Sequence, residues 1–133
     1  MNDAEILTLV DRLERCRLAK DEFHHRDHLA VAAAYLFASD FESALARMRT
    51  SLTRFAAHHG VSNLYHETLT RFWLLQVEHR LDRSASLCDS VEKIQEQLAD
   101  KELARGYYSN ALLDSPDARM KWVQPDLRPL TQH

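Results

Sequence analysis

Six of the eight histidines in the sequence fall in two short stretches, FHHRDH (residues 23–28) and AHHGVSNLYHET (residues 57–68). Neutral imidazole is the commonest nitrogen ligand for metal ions, and a carboxylate adds a harder oxygen ligand. The second stretch supplies such a carboxylate, Glu67, directly after His66. These residue types suit iron, zinc or manganese, with coordination positions left open for chemistry. They form one site only if the fold brings the two stretches together.

Four histidines are the candidate metal ligands. His25 and His28 are three positions apart, so on a helix they share one face and can bind the same ion. His66 would be the third ligand, and His59 is a further candidate. The alternatives are structural. His59 at a helix C-terminus would interact with the last carbonyls, and the others would be buried histidines paired with carboxylates.

Three neighbours of His66 are candidates for catalytic roles. Glu67 would be a metal ligand or a general base, and Tyr65 and Thr68 would contact the substrate. The packing alternative for Tyr65 is an ordinary aromatic contact, and a threonine in a helix can bond within its own helix. Arg71 is four positions after Glu67, so its expected role is a surface ion pair with that residue.

Composition predicts the elements that position these residues. The chain has 133 residues, 45% of them hydrophobic and 28% charged, with only two glycines and three prolines. A low content of turn-forming residues favours helices, so we predict an all-α fold with a single domain over residues 1–133. The predicted fold is a bundle of four main helices with a short C-terminal helix and an extended tail.

The helix boundaries follow from caps and apolar spacing. An alanine-rich second helix is predicted from about His25 to Ala38, and it should lie at the centre. Asp40 would cap a third helix that ends at Gly60 in a left-handed C-cap. Ser62 or Asn63 would cap a fourth helix from about Leu64. An apolar seam should follow the third helix and be buried; it consists of Phe41, Leu45, Met48, Leu52 and Phe55.

Short connections place the histidines at one end of the bundle. Helices joined by two to four residues are usually antiparallel neighbours. The second and third helices therefore bring His25 and His28 close to His59, and the GVSN connection starts the fourth helix at the same end. The sequence thus predicts that His25, His28 and His66 converge.

The overall charge and the cysteines narrow the class of protein. The formal net charge is −3, so no strong positive field favours nucleic-acid binding. The apolar run AVAAAYLFA is too short for a membrane span, and the acidic start does not resemble a signal peptide. Two distant cysteines, Cys16 and Cys88, are typical of free thiols in a reducing cytoplasm.

The motifs FHHRDHLAVAAAYL, FAAHHGVSNLYHETLTRFWL and YYSNALLDSPDARMKWVQPDLRPL resemble those of a group of small uncharacterised bacterial proteins. The shared pattern is F-x-H-x-x-H, then H-x-x-x-x-x-Y-H-E-T, then Y-Y-S and a P-D-L ending. It covers residues 23–130. The resemblance implies a bacterial cytoplasmic protein and a site at the motif positions, without implying an activity. Those positions are His25, His28, His59, Tyr65, His66, Glu67, Thr68, Tyr107, Tyr108 and Ser109.

The sequence leaves three hypotheses for function. The first is a small metal-dependent enzyme, hydrolytic or oxidative, acting on a small-molecule substrate. The second is a non-enzymatic module that binds a small ligand or a partner protein, with structural histidines. The third is a pH-sensitive structural protein whose histidines are surface groups. A membrane or nucleic-acid partner is not expected, and a homodimer is left open.

Overall fold

The computed structural model describes residues 1–130, which form seven α-helices and three 3₁₀ turns, with no strand in this range. The predicted all-helical fold is confirmed. Five helices have eleven or more residues, where the sequence predicts four main ones. The helices are α1 (Asp3–Glu14), α2 (His25–Ala38), α3 (Phe41–His58), α4 (Glu67–Arg80), α5 (Leu87–Gln97), α6 (Asn110–Leu113) and α7 (Pro116–Met120). None of these helices is both long and apolar enough to cross a membrane.

Helix α2 lies at the centre of the main core. Every residue from Leu29 to Leu36 is buried, so the helix has no polar face along this segment. The helix contacts α1, α3, α4 and α5, and the four alanines within this buried segment let these neighbours approach closely. The central position predicted for the second helix is what the structure shows.

The two ends of α3 lie where capping chemistry puts them. The Asp40 carboxylate accepts a hydrogen bond from the Ser43 N–H at 2.7 Å. At the other end Gly60 has φ 70°, a conformation that glycine adopts without strain. The Val61 and Gly60 N–H groups bond the carbonyls of Ala56 and Ala57, which closes a Schellman motif.

The apolar seam of α3 is buried to different depths along its length. Leu45 and Met48 are 2% and 1% exposed and belong to the core. Phe41, Leu52 and Phe55 are only partly buried and pack against the edge of the core. The seam therefore faces the bundle, and Leu52 and Phe55 also line a cavity next to the histidine-containing segments.

The start of α4 differs from the prediction. Residues 62–64 form a 3₁₀ turn, which the Tyr65 N–H closes on the Ser62 carbonyl, and Tyr65 is extended. His66, not Ser62 or Asn63, is the N-cap, because its Nδ1 accepts the Leu69 N–H at 3.1 Å. The helix thus begins at Glu67, three residues later than predicted.

The C-terminal third packs as a second cluster around one side of α4. Its buried members are Phe72, Ala104, Tyr107, Tyr108 and Leu113. Ser115 caps α7 with Pro116 at the first helical position, as the sequence predicts. Residues 121–130 contain no helix, and Trp122 within them is partly buried against Tyr108. The remaining part of the predicted extended tail, residues 131–133, lies outside the described residues.

Candidate functional site

Both ring nitrogens of His66 are engaged by the backbone. Nδ1 accepts the Leu69 N–H, so Nδ1 carries no proton and the proton must be on Nε2. Nε2 lies 2.7 Å from the Leu113 carbonyl and donates to it. Burial lowers the pKa of His66, which keeps the ring neutral near pH 7. A metal ion would have to displace one of these two hydrogen bonds before His66 could bind it.

Glu67 is held by an arginine from α3 and a tyrosine from the preceding turn. Arg49 donates from Nε to Oε1 at 2.8 Å and from Nη2 to Oε2 at 2.6 Å. The Tyr65 hydroxyl donates to Oε1 at 2.7 Å. The bonds from Arg49 lower the pKa of Glu67 although its side chain is buried. A paired carboxylate with a lowered pKa is a weak general base.

Thr68 holds the C-terminal segment in place. Its hydroxyl is fully buried, donates to the Lys121 carbonyl at 2.8 Å and accepts the Val123 N–H at 3.3 Å. Both hydrogen-bonding functions of the hydroxyl are therefore used within the chain. Glu67, Tyr65 and Thr68, the three predicted catalytic residues, lie next to one another, and each is bonded to a neighbouring element.

His25 and His59 each bond a carbonyl of a distant segment. Nε2 of His25 lies 2.8 Å from the Leu98 carbonyl, and its ring contacts the Trp73 indole edge-to-face at 4.6 Å. Nε2 of His59 lies 3.0 Å from the Leu18 carbonyl. Each histidine thus connects its own helix terminus to another part of the bundle.

The ring nitrogens of His28 have no hydrogen-bond partner among residues 1–130. His28 is partly buried beside Phe23, at a ring-centroid distance of 5.9 Å. Burial is the main cause and the nearby His25 a smaller one, and together they lower the pKa of His28 to about 4. At neutral pH the ring is therefore an uncharged imidazole with one donor and one acceptor.

His28 and His66 line the same cavity, which we call the histidine cavity. Its volume is about 380 Å³, and it lies between α2, α3 and the start of α4. Its walls are mainly apolar. They are formed by Lys20, Phe23, His28, Leu52, Phe55, Ala56, Val61, Leu64, Tyr65, His66, Leu69 and Thr70.

The structure brings together two of the three histidines that the sequence expects to converge. His25 lines a separate surface depression with His24 and Gln95. Throughout residues 1–130, no group of three or more histidine, cysteine, aspartate or glutamate side chains is arranged to hold a metal ion. Metal binding at these residues remains a prediction.

Two arginines have roles that helical spacing does not predict. Glu67 pairs with Arg49 from α3, whereas Arg71 lies over the rings of Phe41 and Trp122 at 5.8 and 5.3 Å. The expected pair between Arg71 and Glu67 is absent from the ion pairs of residues 1–130. The antiparallel pairing of α3 and α4 about Gly60 could have indicated Arg49 from the sequence. In such a pairing, Arg49 lies one helical turn from the residue opposite Glu67.

No protein-family model, curated protein or solved structure matches this chain. The similarity of its motifs to small bacterial proteins remains a prediction. The function must therefore be inferred from the geometry of the cavity and the chemistry of its walls.

Proposed function

We propose that the protein binds a small, mainly apolar molecule in the histidine cavity, with one polar group of the ligand bonded to His28. The observation that supports this proposal is a neutral imidazole, free of partners among residues 1–130, in the wall of an apolar cavity. Ligand sites commonly combine apolar walls with a few polar groups that set orientation.

The volume of the cavity is suitable for a small organic ligand. At about 380 Å³ it falls within the range of roughly 300–1,000 Å³ that is common for small-molecule sites. Phe23, Leu52, Phe55 and Leu69 provide aromatic and aliphatic contact area. Burying such a surface favours binding without any charge on the ligand.

The polar wall groups differ in what they still offer to a ligand. His66 uses both ring nitrogens, and the Thr70 hydroxyl donates to the His66 carbonyl at 2.8 Å. The Tyr65 hydroxyl donates to Glu67. Among the described residues of the wall, His28 is the partly buried imidazole with no hydrogen bond at either ring nitrogen, so it should recognise a hydroxyl, amide or carbonyl group.

The metal-dependent enzyme is the second candidate. The shared cavity of His28 and His66 favours it, since two imidazoles would face one bound ion. It requires His66 to exchange a backbone bond for a metal, with His25 and Glu67 recruited from their present partners. Metal analysis of untagged protein tests this candidate. Stoichiometric iron, zinc or manganese that is lost in His28→Ala would support it.

A ligand pair of matched shape tests the binding proposal. The compounds 2-naphthol and 2-methylnaphthalene differ by a hydroxyl in place of a methyl group. We measure both dissociation constants by NMR titration of wild type and His28→Phe. The affinity ratio in favour of 2-naphthol should fall by about fivefold in the variant, because one hydrogen bond of about 1 kcal/mol is lost.

His58→Phe is the matched control, because His58 is exposed at the end of α3 and does not line the cavity. This substitution should leave the ratio unchanged. An unchanged ratio in His28→Phe would exclude His28 as the polar contact. Failure of both compounds to bind wild type at millimolar concentration would contradict the use of this cavity for aromatic ligands of this size.

A further inference from the structure

The Arg71 guanidinium makes no ion pair with a carboxylate among residues 1–130, although the charge of Glu67, one helical turn away, acts on it at a longer distance. It projects from α4, and within residues 1–130 it forms no hydrogen bond or ion pair. Its Nε is buried and has no hydrogen-bond partner there. The residue as a whole is only partly buried, but a buried N–H donor is normally paired, because an unpaired one loses its hydrogen bond to water without replacement. An unpaired Nε–H at a cavity wall therefore indicates that Arg71 could bind a ligand there.

Two aromatic rings hold the Arg71 side chain in place. The guanidinium carbon lies 5.3 Å from the Trp122 ring centroid and 5.8 Å from that of Phe41. Such contacts favour a cation and restrict its orientation without using its N–H donors. The planar fork is therefore preorganised, and its terminal nitrogens remain able to donate in parallel to a carboxylate or phosphate.

The cavity beside Arg71 lies between α4 and the C-terminal segment, and we call it the arginine cavity. Its volume is about 530 Å³, larger than a bare inorganic anion needs. Leu75, Trp122, Pro125 and Leu130 contribute apolar wall area. An occupant should therefore combine an anionic group with an organic body.

The charged groups around this cavity leave a positive excess near Arg71. Arg128 also lines the wall and lies over the Tyr107 ring at 4.0 Å. Among the described residues of the wall, the one carboxylate is that of Asp126, which accepts hydrogen bonds from the backbone and hydroxyl of Ser109 at 2.8 and 2.7 Å. Glu67 on the same helix as Arg71 is already bound by Arg49. Neither acid therefore replaces an external anion at Arg71.

We propose that the arginine cavity binds a small organic anion, whose carboxylate or phosphate group is held by Arg71 while its organic part contacts Trp122 and Leu75. This site is separate from the histidine cavity and shares no wall residue with it. The proposal therefore stands or fails independently of ligand binding at His28.

Benzoate, phenyl phosphate and inorganic phosphate are suitable probes. The first two share a ring and differ in the anionic group, and the third lacks the ring. In a ¹H–¹⁵N titration, benzoate or phenyl phosphate should shift the Trp122 indole and an arginine Nε–H signal. The Trp73 indole should not respond, because Trp73 does not line this cavity. Binding tighter than that of inorganic phosphate would show that the organic part contributes.

Arg71→Gln should weaken binding of the better probe by about tenfold or more, since it removes a charged hydrogen-bond donor. Arg80→Gln is the matched control, because Arg80 is on the same helix and its guanidinium bonds Gln76. The Arg80→Gln variant should bind the probe with the affinity of wild type. If Arg71→Gln does not fold, Arg71→Lys is used; it should bind at least about threefold more weakly, because lysine lacks the planar fork.

Two outcomes would overturn the proposal. One is a wild-type titration in which none of the three probes shifts the Trp122 indole. The other is wild-type affinity in Arg71→Gln, or in Arg71→Lys where only that variant folds. Affinity for inorganic phosphate equal to that for phenyl phosphate would overturn the contact between the organic part and the apolar wall.

Discussion

The start of α4 and the α2 side of the histidine cavity contain histidines in opposite states. At the start of α4, the side chains of His66, Glu67 and Thr68 bond to Leu113, Arg49 and Lys121. In the cavity wall, the ring of His28 has no hydrogen-bond partner among the described residues and remains neutral. The first region joins elements that are distant in sequence, and the second offers an unused polar group.

This difference separates structural from functional candidates better than residue type does. Histidines, glutamate and threonine in one motif invite a catalytic interpretation. A hydrogen bond already made within the chain must be broken before the group can act on a ligand, which costs about 1 kcal/mol or more. His28 has no such cost. Substitutions at the start of α4 should therefore change stability, whereas substitutions of His28 should change ligand binding and the response to acid.

The largest expected effect is the pH dependence that His28 adds to stability. Its pKa is lowered from 6.5 to about 4 in the folded protein. Between these values the unfolded chain binds a proton that the folded chain does not, so stability falls as the pH falls. This stabilisation is complete above pH 6.5, and up to about 3 kcal/mol of it is lost by pH 4. Urea denaturation of His28→Phe across this range should show a correspondingly smaller decrease.

His58→Phe serves as the control for this measurement, because His58 is exposed. It should follow the wild-type curve. His66 also has a lowered pKa and is retained in both variants, so some acid sensitivity should persist. If wild type and His28→Phe lose the same free energy between pH 6.5 and pH 4, the lowered pKa of His28 is wrong.

The next effect concerns the opposite region, where His66 has two structural bonds. His66→Ala removes the N-cap acceptor for Leu69 and the donor to the Leu113 carbonyl, and it should cost about 2 kcal/mol. His66→Asn keeps a cap and should recover about half of that loss. Urea denaturation at neutral pH measures both. Equal stability of wild type and His66→Ala would mean that His66 is free for another role.

The sequence predicts those boundaries of the fold that depend on local chemistry. Asp40, Gly60 and the Ser115–Pro116 pair mark helix ends correctly, because each acts on backbone groups within a few residues. The start of α4 is predicted wrongly, because histidine is an uncommon cap. Its use here depends on a short 3₁₀ turn and on the bond to Leu113, which is far along the chain.

The candidate site could be predicted only in part, for the same reason. Helix spacing and short connections place His28 and His66 beside one cavity. Spacing does not show that Arg49 takes the carboxylate expected for Arg71, or that His25 bonds Leu98. Those contacts join residues from separate helices and depend on side-chain length and helix rotation. Hydrogen-bond satisfaction, which distinguishes the two regions, therefore becomes visible only in three dimensions.

The smallest expected effect tests whether Thr68 is structural or contacts a substrate. Thr68→Val keeps the shape but removes the donor to Lys121 and the acceptor for Val123, so it should cost about 1–2 kcal/mol. Hydrogen exchange of the Val123 amide should become faster, since its acceptor is gone. Thr68→Ser keeps the hydroxyl and should preserve slow exchange. Wild-type stability and wild-type exchange in Thr68→Val would show that the C-terminal segment is held without Thr68, and its hydroxyl would again be a candidate for contact with a substrate.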